Sequence, residues 1–261
     1  MDAETRCRHV SSAPKSIVCS YVGGLRYGAT VASLPPVTIE RFKSAASGFA
    51  TELAATPLPE LYGATDGKAV GTAVEVLFKA YLAERYDLTV GNVASGLDFP
   101  SLNTDLKMTS LKQPQSSCPF RAATQKIYGL GYNLLVLVYL KRDDQKKRVA
   151  FLDIRHVIYI DKARTGDFCL TGQIREIVNR SERDVGGREA AIEDLDALLQ
   201  DKNVPLDEVS RRQLAERIVD DVPEQGVLTI SNALQWRLQY GRAISTAAAG
   251  IVGFEVVDLR A

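Results

Sequence analysis

The sequence predicts an α/β fold: a mixed central sheet flanked by helices, with a charged helical insertion or subdomain. Three observations carry that reading. Apolar stripes at helical spacing occupy the first third, the period changes to that of strands between 90 and 160, and a highly charged stretch of helical spacing follows.

Residues 1 to 36 hold Gly23-Gly24, Gly28 and Pro35-Pro36 and read as irregular structure with one short strand at most. Thr38 can cap a helix whose Ile39, Phe42, Phe49 and Leu53 share one side, ended by Pro57 and Pro59. A second helix follows Asp66, with Val70, Val74, Leu77, Phe78, Tyr81 and Leu82 as its core-facing stripe. Thr104, Leu106 and Met108 then alternate with Asp105, Lys107 and Thr109, as a strand requires. Asn133–Leu140 (NLLVLVYL) is continuously apolar and follows the turn glycines Gly129 and Gly131, which suits a central strand buried on both faces. The basic turn Lys141–Arg148 leads to Val149–Ile154 as its antiparallel neighbour, and His156–Ile160 can extend the sheet.

The charged stretch (Ile174, Ile177; Leu195, Leu198, Leu199; Leu214, Ile218) is broken by Gly186-Gly187 and Pro205. Thr229 or Ser231 can cap a last helix through Arg242, and Phe254–Leu259 reads as a closing strand. The expected organisation is a core over 1–171, the helical insertion over 172–225, and a return to the core over 226–261.

Composition narrows the function. Of 261 residues, 46% are hydrophobic and 25% charged, an ordinary globular balance. No apolar run approaches the roughly 20 residues that span a bilayer, and Met1–Arg6 does not begin a secretory signal, so the cytoplasm is the expected compartment. Cys7, Cys19, Cys118 and Cys169 lie far apart, which disfavours structural zinc and a disulfide framework. His9 and His156 offer little to a histidine-based mechanism. Thirty-two basic residues balance thirty-two acidic ones, so bulk charge does not drive nucleic-acid binding, although one basic cleft remains compatible with it.

The chemistry-bearing segment is Gly96-Leu-Asp98-Phe-Pro-Ser-Leu-Asn-Thr-Asp105-Leu-Lys107-Met-Thr-Ser. On a strand Asp105 and Lys107 face one side while Leu106 enters the core. If the chain bends back near Asn103, Asp98 and Asp105 can hold one divalent cation between two carboxylates, with the Leu106 carbonyl as a further ligand. Phosphodiester hydrolysis uses such a site, because oxygen-ligated Mg²⁺ neutralises the phosphate and acidifies water. Lys107 can orient the nucleophile and stabilise developing charge. A bare D-x-K is a weak motif whose bland reading is a solvated ion pair. Asp66-Gly-Lys68 and Asp144-Gln-Lys146 repeat it, and both read as turns or helix starts. The strand context, the upstream acid and the preceding helix set Asp105-Leu-Lys107 apart. On that helix Glu75 is either an exposed partner of Lys79 at i+4 or a carboxylate aimed at the metal.

The segment DFPSLNTDLKMTSLK resembles the active-site hairpin of the MutH mismatch-repair endonuclease and its restriction-enzyme relatives, where D-F-P, a short turn and (D/E)-L-K follow in the same spacing. The helix GTAVEVLFKAYL is similar to the one that carries that family's additional glutamate. The longer run through QPQSSCPFRAATQKIYGLGYNLLVLVY is similar to type II restriction endonucleases of the PD-(D/E)xK superfamily. The resemblance spans residues 68 to 140. It implies a restriction-endonuclease-like core with Asp98 and Asp105 as Mg²⁺ ligands, Lys107 as the catalytic lysine and Glu75 as a supporting acid. It further implies sequence-specific cleavage of double-stranded DNA to 5′-phosphate and 3′-hydroxyl ends, a homodimer, and a cognate DNA methyltransferase. The rivals are a MutH-like nicking or repair nuclease that needs a partner, a non-catalytic DNA-binding module of the same fold, and a protein in which D-L-K is accidental.

Further candidates can touch DNA. Gln113, Gln115, Ser116 and Ser117 follow the catalytic strand in what reads as a loop, and loop polarity explains them equally well. Lys126 precedes the central strand, where this superfamily often supplies a basic or amide group to the phosphate; a surface lysine is the alternative. Gln235, Gln239 and Arg242 share one face of the expected last helix and suit adenine and guanine edges, against the reading of a solvated face.

Overall fold

The apolar run after Gly131 becomes the central strand. The computed structural model describes residues 33–88, 96–118, 121–181, 186–231 and 236–260. In it β1 (Thr104–Ser110) runs parallel to β3 (Asn133–Asp144), β3 antiparallel to β4 (Val149–Ile160), and β4 antiparallel to β7 (Val256–Asp258). The result is a mixed four-stranded sheet in the order β1-β3-β4-β7.

β3 serves two cores because its side chains alternate. Leu135, Leu137 and Tyr139 meet α1 (Ile39–Ala55) and α2 (Gly67–Ala83), whose Phe42, Phe49, Leu53, Val70, Val74, Phe78 and Leu82 are all buried. Leu134, Val136 and Val138 face the other way, onto a second sheet in the order β2-β6-β5 (Gln115–Cys118, Trp236–Gln239, Thr229–Ile230) and onto α7 (Gly241–Ala249). Both helix starts follow the expected chemistry. Thr38 Oγ1 accepts from Arg41 N at 3.3 Å and Asp66 Oδ1 from Lys68 N at 3.0 Å.

The charged stretch folds as α4 (Phe168–Ser181), α5 (Gly187–Asp201) and α6 (Glu208–Asp220). Leu170, Ile174, Ile192, Leu195, Leu199, Leu214 and Ile218 form a core of their own, extended by Ala123 and by Ile127 of α3 (Gln125–Tyr128). Its charges bridge the helices, with Arg211 on Asp196 at 2.8 Å and Arg188 on Asp220 at 2.5 Å. Among the described residues no helix is long and apolar enough to cross a membrane.

Two expectations fail. The segment Thr229–Arg242 is not one helix: β5 and β6 pair antiparallel, and α7 starts only at Gly241. Leu238 and Tyr240 are fully buried while Arg237 and Gln239 are exposed, so a two-residue period wins over the i, i+4 spacing of Gln235 and Gln239. The polar segment after β1 is likewise not wholly a loop, because Gln115–Cys118 pairs with β6. The expected irregular start over 1–36, with Cys7, His9 and Cys19, falls almost entirely outside the described residues.

Leu137 lies at the middle of β3 with no exposed surface. Leu137→Ala is expected to lower the unfolding free energy by about 2–5 kcal/mol, read as a shifted urea midpoint with an unchanged slope.

Candidate active site

A tight hairpin brings the two candidate acids together. Phe99 N–H donates to the Thr104 carbonyl at 3.0 Å and Thr104 N–H to the Phe99 carbonyl at 3.1 Å. Between them Pro100–Leu102 forms one 3₁₀ turn, closed by Asn103 in the left-handed region at φ 47°. Asparagine tolerates that conformation, and here Nδ2 also donates to the Gly131 carbonyl at 2.9 Å. Phe99 is buried in the aromatic cluster of α1 and α2, with ring centroids 4.9 Å from Phe42 and 5.5 Å from Phe78. Asp98 is thus held from the helix side and Asp105 from the sheet side.

The Asp98 carboxylate accepts the Leu106 N–H through Oδ2 at 2.8 Å. N–H and C=O of one strand residue leave the same edge, so the Leu106 carbonyl also points towards Asp98 and away from β3. Lys107 Nζ reaches Asp105 Oδ2 at 2.5 Å, and both side chains are largely shielded. Burial pushes the Asp98 carboxyl above its ordinary range; the Leu106 N–H opposes that rise, the adjacent Asp105 charge adds to it, and Lys107 offsets part of it. Two carboxylates and a peptide carbonyl at one spot form a hard oxygen donor set.

These groups line a cleft of about 850 Å³. One wall is the start of α2, with Lys68, Gly71, Thr72 and Glu75, and the other is β2 with Arg237 of β6. Glu75 lines the cleft, but its carboxylate is bound by Lys79 at 2.5 Å. Among the described residues no three His, Cys, Asp or Glu side chains gather closely enough to hold a metal, so Glu75 does not join the pair. Both other D-x-K stretches are helix start or turn, as expected: Asp66 caps α2, and Asp144 accepts the N–H groups of Lys146 and Lys147.

The nucleic-acid candidates separate in space. Gln113, Gln115, Ser116 and Ser117 line the cleft. Ser116 Oγ, however, lies 2.6 Å from the hydroxyl of buried Tyr240, on the inner side of its sheet. Lys126 is buried, and desolvation lowers its pKa while the Asp167 charge opposes that. The Arg242 guanidinium stacks over Phe168 at 4.2 Å, away from the helix face expected for it. Gln239 is exposed on β6, and Gln235 lies outside the described residues. Arg237 and Lys68 also line the cleft, and sequence reasoning did not place them there. The alternation in Arg237-Leu-Gln239-Tyr240 was the available signal for the first.

With this geometry established, comparison with known proteins is direct. A family model described as type II restriction enzyme NspV matches residues 36–255. The type II restriction enzyme NspV of Nostoc sp. (strain ATCC 29411 / PCC 7524) is 50% identical over 212 residues, covering 81% of this chain and 92% of that protein. No solved structure is a significant match. The chain is therefore an enzyme of the site-specific deoxyribonuclease class, and it belongs to the NspV family of type II restriction enzymes.

Asn103 offers a test of the hairpin. Asn103→Ala is expected to cost about 1–2 kcal/mol, through left-handed strain and the lost bond to Gly131, whereas Asn103→Gly relieves the strain and costs less; chemical denaturation of both variants measures the difference.

Proposed function

We propose that this chain hydrolyses phosphodiester bonds of double-stranded DNA at a defined sequence, using Mg²⁺ held by Asp98, Asp105 and the Leu106 carbonyl. The reading rests above all on one observation, the convergence of Asp98, Asp105 and Lys107 in a cleft of a type II restriction enzyme. The donor set fits the ion, being hard oxygen throughout. Two neighbouring acids, one with its carboxyl pushed up by burial and by the other's charge, are also the arrangement a divalent cation relieves. When bound, Mg²⁺ supplies charge neutralisation at the scissile phosphate and acidifies water there.

The protein's own groups do the rest. The Leu106 N–H fixes one Asp98 oxygen and leaves the other for ligation. Asp105 takes one of the three Lys107 ammonium donors. The remaining two can hold a phosphoryl oxygen and the attacking water in line, so that developing negative charge meets a fixed cation. Glu75 takes a supporting place on the cleft wall, available once Lys79 turns to the DNA backbone. Gln113 can contact DNA beside the cut. By the resemblance in its hairpin the enzyme has a PD-(D/E)xK site and leaves 5′-phosphate and 3′-hydroxyl ends. Cutting both strands of a symmetric site favours a homodimer, and a cognate methyltransferase would protect the host's copies.

Unmethylated phage DNA incubated with the purified protein is expected to give discrete bands in Mg²⁺ and none in EDTA, with recovery when Mg²⁺ is restored. Asp105→Ala is expected to abolish the bands, and Lys107→Ala to slow cleavage on the order of 10²–10³-fold. Folded wild-type protein that cuts with no divalent cation at all sinks the reading.

A further inference from the structure

The second sheet turns a polar face towards solvent and the cleft. In the β2–β6 ribbon Ser117 lies opposite Arg237 and Gln115 opposite Gln239. Directly opposed residues share a face, as do residues two apart, so these four side chains form one polar stripe. The other face holds buried Cys118 and Leu238, with Ser116 bonded to Tyr240. We propose that the outward face of this ribbon reads base edges in the DNA major groove, with Arg237 as the residue that recognises guanine. The assignment rests on the cleavage reading above and gives it a recognition element.

Four observations carry it. Arg237 is exposed, and among the described residues its guanidinium meets no carboxylate, carbonyl or aromatic ring. Arg164 and Arg242 differ: the first is bound by Glu224 and Glu255, and the second covers Phe168. Second, Gln115, Ser117 and Arg237 line the same cleft as Asp98, Asp105 and Lys107, and Gln239 continues the stripe beyond it. Third, the ribbon is fastened to the catalytic strand. Thr109 Oγ1, buried on β1, accepts from Gln115 N–H at 2.8 Å and donates to the Gln115 carbonyl at 3.0 Å. Tyr240 N–H holds the Pro114 carbonyl at 2.8 Å from the other side. A contact made by the ribbon is therefore held in register with the scissile phosphate.

The chemistry of the stripe is the fourth. A two-stranded ribbon fits the major groove, about 12 Å wide, where arginine meets guanine O6 and N7 with two parallel bonds and glutamine meets adenine N6 and N7. Serine serves either base.

The test uses duplexes carrying a randomised segment, with wild-type protein, Arg237→Lys and Arg237→Ala. Cleaved ends are sequenced after reaction in Mg²⁺, and duplexes retained on the protein are sequenced separately in Ca²⁺. The wild type is expected to select a defined sequence containing G·C. Both variants should lose the preference at one G·C position and its symmetry mate, keep it elsewhere, and act on the original sequence about 5- to 100-fold more weakly. The lysine variant is decisive because it keeps charge and reach but not the two-pronged fork. Both should melt like the wild type, since the side chain is exposed. An unchanged preference in the variants overturns the assignment. So does uniform weakening across all sequences with a shallower salt dependence, which makes Arg237 a phosphate contact. A wild type that retains no preferred sequence overturns it as well. A wild type that retains a preferred sequence without cutting removes only the hydrolytic reading, and the retained sequences of the variants then decide the role of Arg237.

Discussion

The candidate site of this molecule depends on holding two like charges next to each other. Asp98 and Asp105 repel, and burial raises the cost of charging Asp98. The chain meets that cost with backbone geometry. The Phe99–Thr104 pair closes the hairpin, Asn103 takes the left-handed turn, and Phe99 is sunk among Phe42 and Phe78. Lys107 and the Leu106 N–H then compensate the carboxylates locally. Strain of this kind is common where a site must be ready for a charged ligand before it arrives.

The hairpin is steady because β1 is anchored elsewhere. It lies at the edge of the four-stranded sheet, parallel to a β3 whose centre is buried on both faces. One edge of β1 is paired with β3, which leaves the other free for the Asp98 side chain. Its far end turns directly into β2. The two acids and the β2 strand of the ribbon are consequently one continuous stretch of chain, tied at Thr109, while β6 with Arg237 is added by strand pairing.

Much of this was legible in the residues. The stripes of α1 and α2, the β3 run and its antiparallel neighbour were readable because each period satisfies a single burial requirement. Asp98, Asp105 and Lys107 could be singled out because strand alternation and a turn are local properties. The family comparison supports the class of enzyme that those residues suggested. The C-terminal segment was misread because Gln235, Gln239 and Arg242 satisfy a helical spacing as well as a strand period. The deciding fact, that Leu238 and Tyr240 bury against β3 and its neighbours, is a contact between distant parts of the chain.

The sequence by itself determined the elements around the site, the hairpin and the meeting of Asp98, Asp105 and Lys107, because those follow from periodicity, turn chemistry and spacing within about ten residues. Only the tertiary structure decided which polar groups share the cleft. It engaged Glu75 with Lys79, buried Lys126, stacked Arg242 on Phe168 and brought Arg237 across to Ser117. Whether a charged side chain faces a ligand or a neighbour is settled by pairings between remote segments. No local pattern encodes them.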